Sequence, residues 1–254
     1  MPWSENHVKT LLPSLAVMLV LGFVLRLLLI KKSEKIRMIP FQVCAVFIAV
    51  MEVLKQVNSF RNGYDLYHIP LHFCSLFIFA LPLMGFYFGK YKNEVRAITC
   101  ALCASLFVLM MIFPNVIYSG DAIAGTFRTF SDFHTTSFHT VVTFCFVLIV
   151  ALDLHAPDPK KDMRVIFPTI AIFCVVASIM AQVLQTNFHN FLHCNMPPIE
   201  ALRSAWCEAM GFALGQVLYV LIMIVINLVG VWGCYWFYTL LAWLMSKLPQ
   251  RLQK

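Results

Sequence analysis

Charge is what this chain lacks. Only 12% of its 254 residues are Asp, Glu, Lys or Arg, while 61% are hydrophobic and the mean hydropathy is +0.80. Soluble domains carry about 25% charged residues. Half that amount leaves too little polar surface to clothe a water-soluble globule, so lipid must be the solvent. Glycine is also sparse, at ten residues, and no low-complexity linker or domain boundary interrupts the chain. A second CxxC to complete a metal finger is missing beside "CALC" (Cys100, Cys103), and "HIPLH" and "HNFLH" lack the glutamate of an HExxH zinc motif.

What charge there is has one dominant sign. The net charge is +7 and the pI near 9.0. The basic residues sit in short loops beside apolar spans, as orientation signals do, and no soluble basic domain remains to hold a duplex; this argues against nucleic acid. Of nine cysteines, Cys44, Cys100, Cys103, Cys145, Cys174 and Cys234 lie in apolar runs and read as small hydrophobes. Cys74, Cys194 and Cys207 lie nearer boundaries or loops, and whether the last two pair is left open.

A membrane core of about 30 Å needs about 20 apolar residues per helix. Seven stretches approach that length: residues 11–30, 40–56, 69–88, 97–117, 138–154, 165–184 and 214–245. The expectation is a single all-α domain, a seven-helix transmembrane bundle, in a multi-pass protein of a bacterial cell membrane. The first stretch has no cleavage site before the basic cluster that follows it and reads as a retained helix. Thirteen of the nineteen lysines and arginines fall after helices one, three, five and seven. By the positive-inside rule the N-terminus is then outside and the C-terminus cytoplasmic. Gly211 and Gly215, in "GFALG", have the spacing that lets helices approach closely.

Polar chemistry gathers at the less basic side. His68, His72, His134, His139, His189 and His193, six of the eight histidines, map there. Asn115, Tyr118, Asp132, Gln182 and Asn187 join them. Intramembrane ionisable groups are costly and tend to face a bundle interior or a cavity. Glu52 and Lys55, three apart, are expected to pair. Pro70 is tolerated only in a first turn, which would start the third helix near His68 or Ile69. On a helix His72 and Cys74, two apart, would then face different ways. Six histidines on one face suit a general base, a proton relay or, less specifically, a metal site drawn from His72, His134, His139, His189 and His193.

Four stretches carry a family likeness: "NGYDLYHIPLHFCSLFIFALPL", "LFVLMMIFPNVIYSG", "FHTTSFHTVVTFCFVLIVAL" and "QTNFHNFLHCNMPP". In this order they resemble the motifs of YwaF-type bacterial membrane proteins and of their eukaryotic relative, transmembrane protein 164, from Glu52 to about Pro198. The resemblance implies a multi-helix fold with a lipid-modifying site at one membrane face, by acyl transfer or ester hydrolysis. The relative's motif has an acyl-carrying cysteine between proline and histidine. Here that position is Leu71, and the histidines match His72 and His139. A covalent route would need another nucleophile: Cys74, Ser75 or Thr140.

On this reading His139 is the base, with His72, Cys74 and Ser75 completing the catalytic candidates. Asn115, His134, Asn187, His189, Glu52 and Lys55 would contact substrate. No cofactor and no metal are expected. Membrane lipid is the expected partner, and a homo-oligomer is open. The alternative is a transporter or binding protein for a small solute or metal, with Glu52 and Lys55 lining its path. Polar residues continuing into the other half of the membrane would favour that alternative; the inner halves of the helices are nearly all apolar.

Overall fold

The computed structural model describes residues 3–117 and 119–247. Tyr118, Arg251 and Lys254, counted above, lie outside them. Among the described residues every regular element is helical. The helices are α1 (Glu5–Leu29), α2 (Glu34–Arg61), α3 (Phe77–Phe86), α4 (Lys92–Ile112), α5 (Pro114–Ile117), α6 (Gly120–Ala124), α7 (Phe130–Ala151), α8 (Pro159–Leu184), α9 (Pro197–Met210) and α10 (Phe212–Ser246). Six of them, α1, α2, α4, α7, α8 and α10, are long and apolar enough to cross a membrane. The protein is a multi-pass integral membrane protein.

The third apolar stretch departs from expectation. Helix does not begin near residue 69. Two short 3-10 turns, Leu66–His68 and Phe73–Leu76, precede a ten-residue α3. Proline explains the break. Pro70 has no N–H to donate, and it drives the residue before it out of the helical region. Ile69 accordingly sits at φ −59°, ψ 134°, and His72 is extended at φ −87°, ψ 154°. The fourth stretch also ends early, at Ile112, where Pro114 starts the separate α5.

Two helices make the centre. α4 and α7 have 61% of their apolar windows buried, against 17% to 33% for the other four long helices. α4 achieves this with small side chains: Ala97, Cys100, Ala101, Cys103 and Ala104 are fully buried. Lipid tails are as apolar as leucine, so helices associate here by close packing, which small residues permit. Aliphatic side chains also cover the outer surface, as Val217, Leu221, Val225 and Val229 do along α10. All nine cysteines are free thiols, Cys194 and Cys207 included.

Local signals fix the ends. Ser4 and His7 form a capping box on α1, Thr129 caps α7 by accepting from Asp132 N, and Pro159 opens α8 behind the Asp158 cap. α9 was not anticipated. Pro197 and Pro198 begin it, Glu200 lies in its first turn, and Gly211 ends it at φ +83°. α10 then folds back so tightly that a Cβ on Gly215 would lie 2.5 Å from the Cys207 backbone nitrogen. The close approach suggested by the glycine spacing is therefore made within the chain, at Gly215. Glu200 ties α9 to the preceding loop, accepting from Cys194 N at 2.8 Å and from Arg203 Nη2 at 2.5 Å. Those Arg203 hydrogen bonds hold the Glu200 carboxyl below its ordinary range.

At the basic end, polar side chains lock the loops. Asp162 accepts from His155 Nε2 at 3.0 Å, from Asp158 N at 2.9 Å and from the Tyr235 hydroxyl. Tyr238 donates to the His155 carbonyl at 2.5 Å. Arg26 reaches the Ala151 carbonyl and Arg37 the Leu152 carbonyl, at 2.6 and 2.8 Å. Arg96 pairs with Glu34 at 2.6 Å.

Candidate functional site

Glu52 lies nine residues before the end of α2, and His139 nine residues after the start of α7. At 1.5 Å per residue each is about 14 Å in from the same end of the bundle. The region between them is where most of the sequence candidates converge.

His139 and Cys74 meet there. His139 Nε2 lies 3.2 Å from Cys74 Sγ, and His139 Nδ1 lies 2.7 Å from the Thr135 carbonyl. A carbonyl oxygen only accepts, so Nδ1 must carry the proton. Nε2 then presents its lone pair to the thiol. This is the arrangement a general base needs in order to activate a nucleophile. The helical projection that put His72 and Cys74 on different faces does not apply, because residues 66–76 are not α-helical. The 3-10 turn at Phe73–Leu76 carries the thiol to α7.

A second cluster faces α7 from α2. The expected Glu52–Lys55 pair is present, at 2.8 Å, with side chains only 11% and 21% exposed. Gln56 Nε2 donates to Glu52 Oε1 at 2.8 Å and to the His68 carbonyl at 2.9 Å. Ser59 and His68 Nδ1 are 2.6 Å apart. These bonds tether the broken third segment to α2. His134 Nε2 points at Glu52 Oε2 from 3.9 Å, beyond hydrogen-bond range. The Lys55 charge is within electrostatic reach of Cys74, His134 and His139. The Phe138 ring contacts both histidines, with centroids 5.5 Å from each.

A third group forms one wall. The loop after α8 holds three non-glycine residues at left-handed φ: Gln185, His189 and Asn190, at 50°, 52° and 61°. Tyr219 donates to the Asn190 carbonyl at 2.5 Å, and Gln216 Nε2 to the Phe191 carbonyl at 2.9 Å. His189 Nε2 donates to Asn227 Oδ1 at 2.7 Å, deep along α10. Irregular backbone is tolerated at membrane depth when protein covers it in this way. The loop reaches the thiol's neighbours: His189 stacks on Phe73 at 5.6 Å, and Phe188 packs edge-on to His72 at 5.5 Å.

The remaining candidates lie elsewhere. His72 Nε2 is bonded to the Tyr67 carbonyl at 3.2 Å, not to Cys74. Ser75 is buried, and its backbone N–H donates to the His72 carbonyl at 2.9 Å. Asn187 folds onto its own loop, with Nδ2 3.2 Å from His193 Nε2. Asn115 is exposed on α5. Among the described residues no three His, Cys, Asp or Glu side chains converge as a metal site. The sequence reading missed Asn227 and Gln56. Asn227 had a signal: it is a polar residue midway along a 35-residue apolar helix.

No curated protein and no solved structure matches the chain. A family match covers residues 2–230, nearly its whole length. The chain belongs to the TMEM164 family.

Proposed function

We propose that the protein is a membrane-embedded lipid-modifying enzyme, passing acyl groups through a Cys74 thioester with His139 as the base. The observation that carries this reading is the 3.2 Å contact of His139 Nε2 with Cys74 Sγ, with Nδ1 occupied by the Thr135 carbonyl. His139 takes the thiol proton, sulfur attacks an ester carbonyl, and the departing alkoxide takes that proton from Nε2. Glu52, Lys55 and His134 line the same region and contact the polar part of the substrate. Membrane lipid is the natural substrate, because the thiol lies about 14 Å inside a bundle whose outer surface is apolar.

In this reading α3, with its 3-10 entry, is a seventh crossing. The less basic end, which carries the site, faces outward. The bonds among residues 26–37, 92–96 and 151–162 support placing the basic loops together on the cytoplasmic side. Solute transport gains no comparable support. Between the two polar ends, Thr99, Ser105 and Thr143 hydroxyls are spent on carbonyls of their own helices.

The test is comparative lipidomics of membranes carrying the wild type, Cys74→Ala or His139→Ala at equal protein level. One lipid class should change with the wild type alone. Identical lipid profiles in all three, with folded protein, would sink the reading.

A further inference from the structure

The Cys74–His139 pair accounts for the acyl side of the proposed reaction and leaves its alcohol side unassigned. His134 supplies a lead. It is 91% buried, from an exposure of 9%, and Nε2 has no hydrogen-bond partner among the described residues. A buried polar nitrogen left unbonded costs about 1–3 kcal/mol, so its retention calls for an explanation. The nitrogen faces the Glu52 carboxylate, which favours a proton on Nε2 and makes it a donor. At 3.9 Å it stops short of bonding Glu52. Two atoms so spaced can both lie within ordinary hydrogen-bond distance of one added oxygen. Lys55, held at 2.8 Å on the same Glu52 oxygen, brings a positive charge to that corner.

We infer that His134 and the Lys55–Glu52 pair form the subsite for the alcohol oxygen of the acyl ester. This deepens the reading above and rests on it. When Cys74 is acylated, the ester C–O bond breaks, the C–S bond forms, and the leaving oxygen takes the thiol proton by way of His139. When the acyl group is passed on, a hydroxyl oxygen bound in the same place forms the new C–O bond. The C–S bond breaks, and the hydroxyl proton returns through His139 to sulfur. In both directions charge develops on that oxygen, where the His134 N–H and the Lys55 ammonium stabilise it. The hydroxyl belongs either to a lipid glycerol or to water.

The experiment uses the full chain in phospholipid nanodiscs and p-nitrophenyl palmitate. Nitrophenolate leaves without needing a proton donor, so acylation by this ester does not call on the subsite. Thioester formation and loss are followed by intact mass, in buffer alone and with added lysophosphatidylcholine. In His134→Gln and Glu52→Gln, thioester loss should slow roughly 10²-fold, against a far smaller slowing of acylation. Faster loss with lysophosphatidylcholine in the wild type identifies a lipid hydroxyl; loss indifferent to it identifies water. Wild-type rates of thioester loss in both variants overturn the subsite, as does equal slowing of both steps. A wild type that forms no thioester at Cys74 defeats the parent reading instead.

Discussion

At the basic end of the bundle, Asp162 is ringed by His155, Tyr235 and the Asp158 backbone, and Tyr238 closes on the His155 carbonyl. At the opposite end, another buried histidine faces a carboxylate without bonding it, and a thiol lies against a histidine lone pair. Both ends bury ionisable groups in a bundle with little charge to spare. The basic end uses them to pin loops. Even there Arg37 and Arg96 each leave a buried Nε unbonded, but both guanidinia are anchored through another nitrogen. The contrast teaches that burial of polar groups does not by itself mark a site. The difference lies in a histidine nitrogen left unbonded, the capacity the proposed site would use.

The sharpest way to break the comparison is to remove the reactive pair. Cys74→Ala should abolish acylation by p-nitrophenyl palmitate, and His139→Ala should slow it by roughly 10²–10⁴-fold, with unfolding temperatures near that of the wild type. Asp162→Ala should do the reverse. It strands His155 and Tyr235 and should cost about 3 kcal/mol in detergent unfolding, while acylation per folded molecule is unchanged.

Gly215→Ala presses a methyl into the Cys207 backbone and should cost about 1–3 kcal/mol, read as a lower unfolding temperature. Asn227→Leu removes the acceptor that orients His189 against Phe73. Acylation should fall about tenfold, and Asn227→Asp, which keeps the acceptor oxygen, should restore it. The smallest effect concerns Glu200. Its carboxyl is depressed by Arg203, so its contribution to stability is complete above the ordinary carboxylate value and is lost as pH falls through the lowered one. Glu200→Gln should unfold more readily than the wild type at neutral pH, and the gap should close in acid.

Much of the helix layout was legible because lipid makes hydropathy decisive, and the Glu52–Lys55 pair followed from spacing alone. The third segment was not. Pro70 was read as a first-turn proline, whereas it breaks the chain into extended and 3-10 pieces. A projection at 100° per residue then assigned Cys74 a face it does not have. Proximity of Cys74 to His139 is a tertiary fact between residues 65 positions apart, and no periodicity encodes it. α9 was legible in retrospect from Pro197, Glu200 and Gly211, a start, a first-turn acid and a stop. Asn187 and Asn115 resembled site residues by type, but the loop and the exposed α5 turn claim them.

The Thr135–His139 bond has a mechanical consequence. The imidazole is aimed by a carbonyl of its own helix, one turn back. The thiol rides on a short 3-10 turn of poorer hydrogen bonding, packed through Phe73 on the loop after α8, and a glutamine and a serine of α2 hold only the turn before it, at His68. One partner is therefore a fixed post and the other a sprung latch. On the proposed reading, a lipid chain that displaced the thiol's turn would leave the imidazole still tied to its own helix.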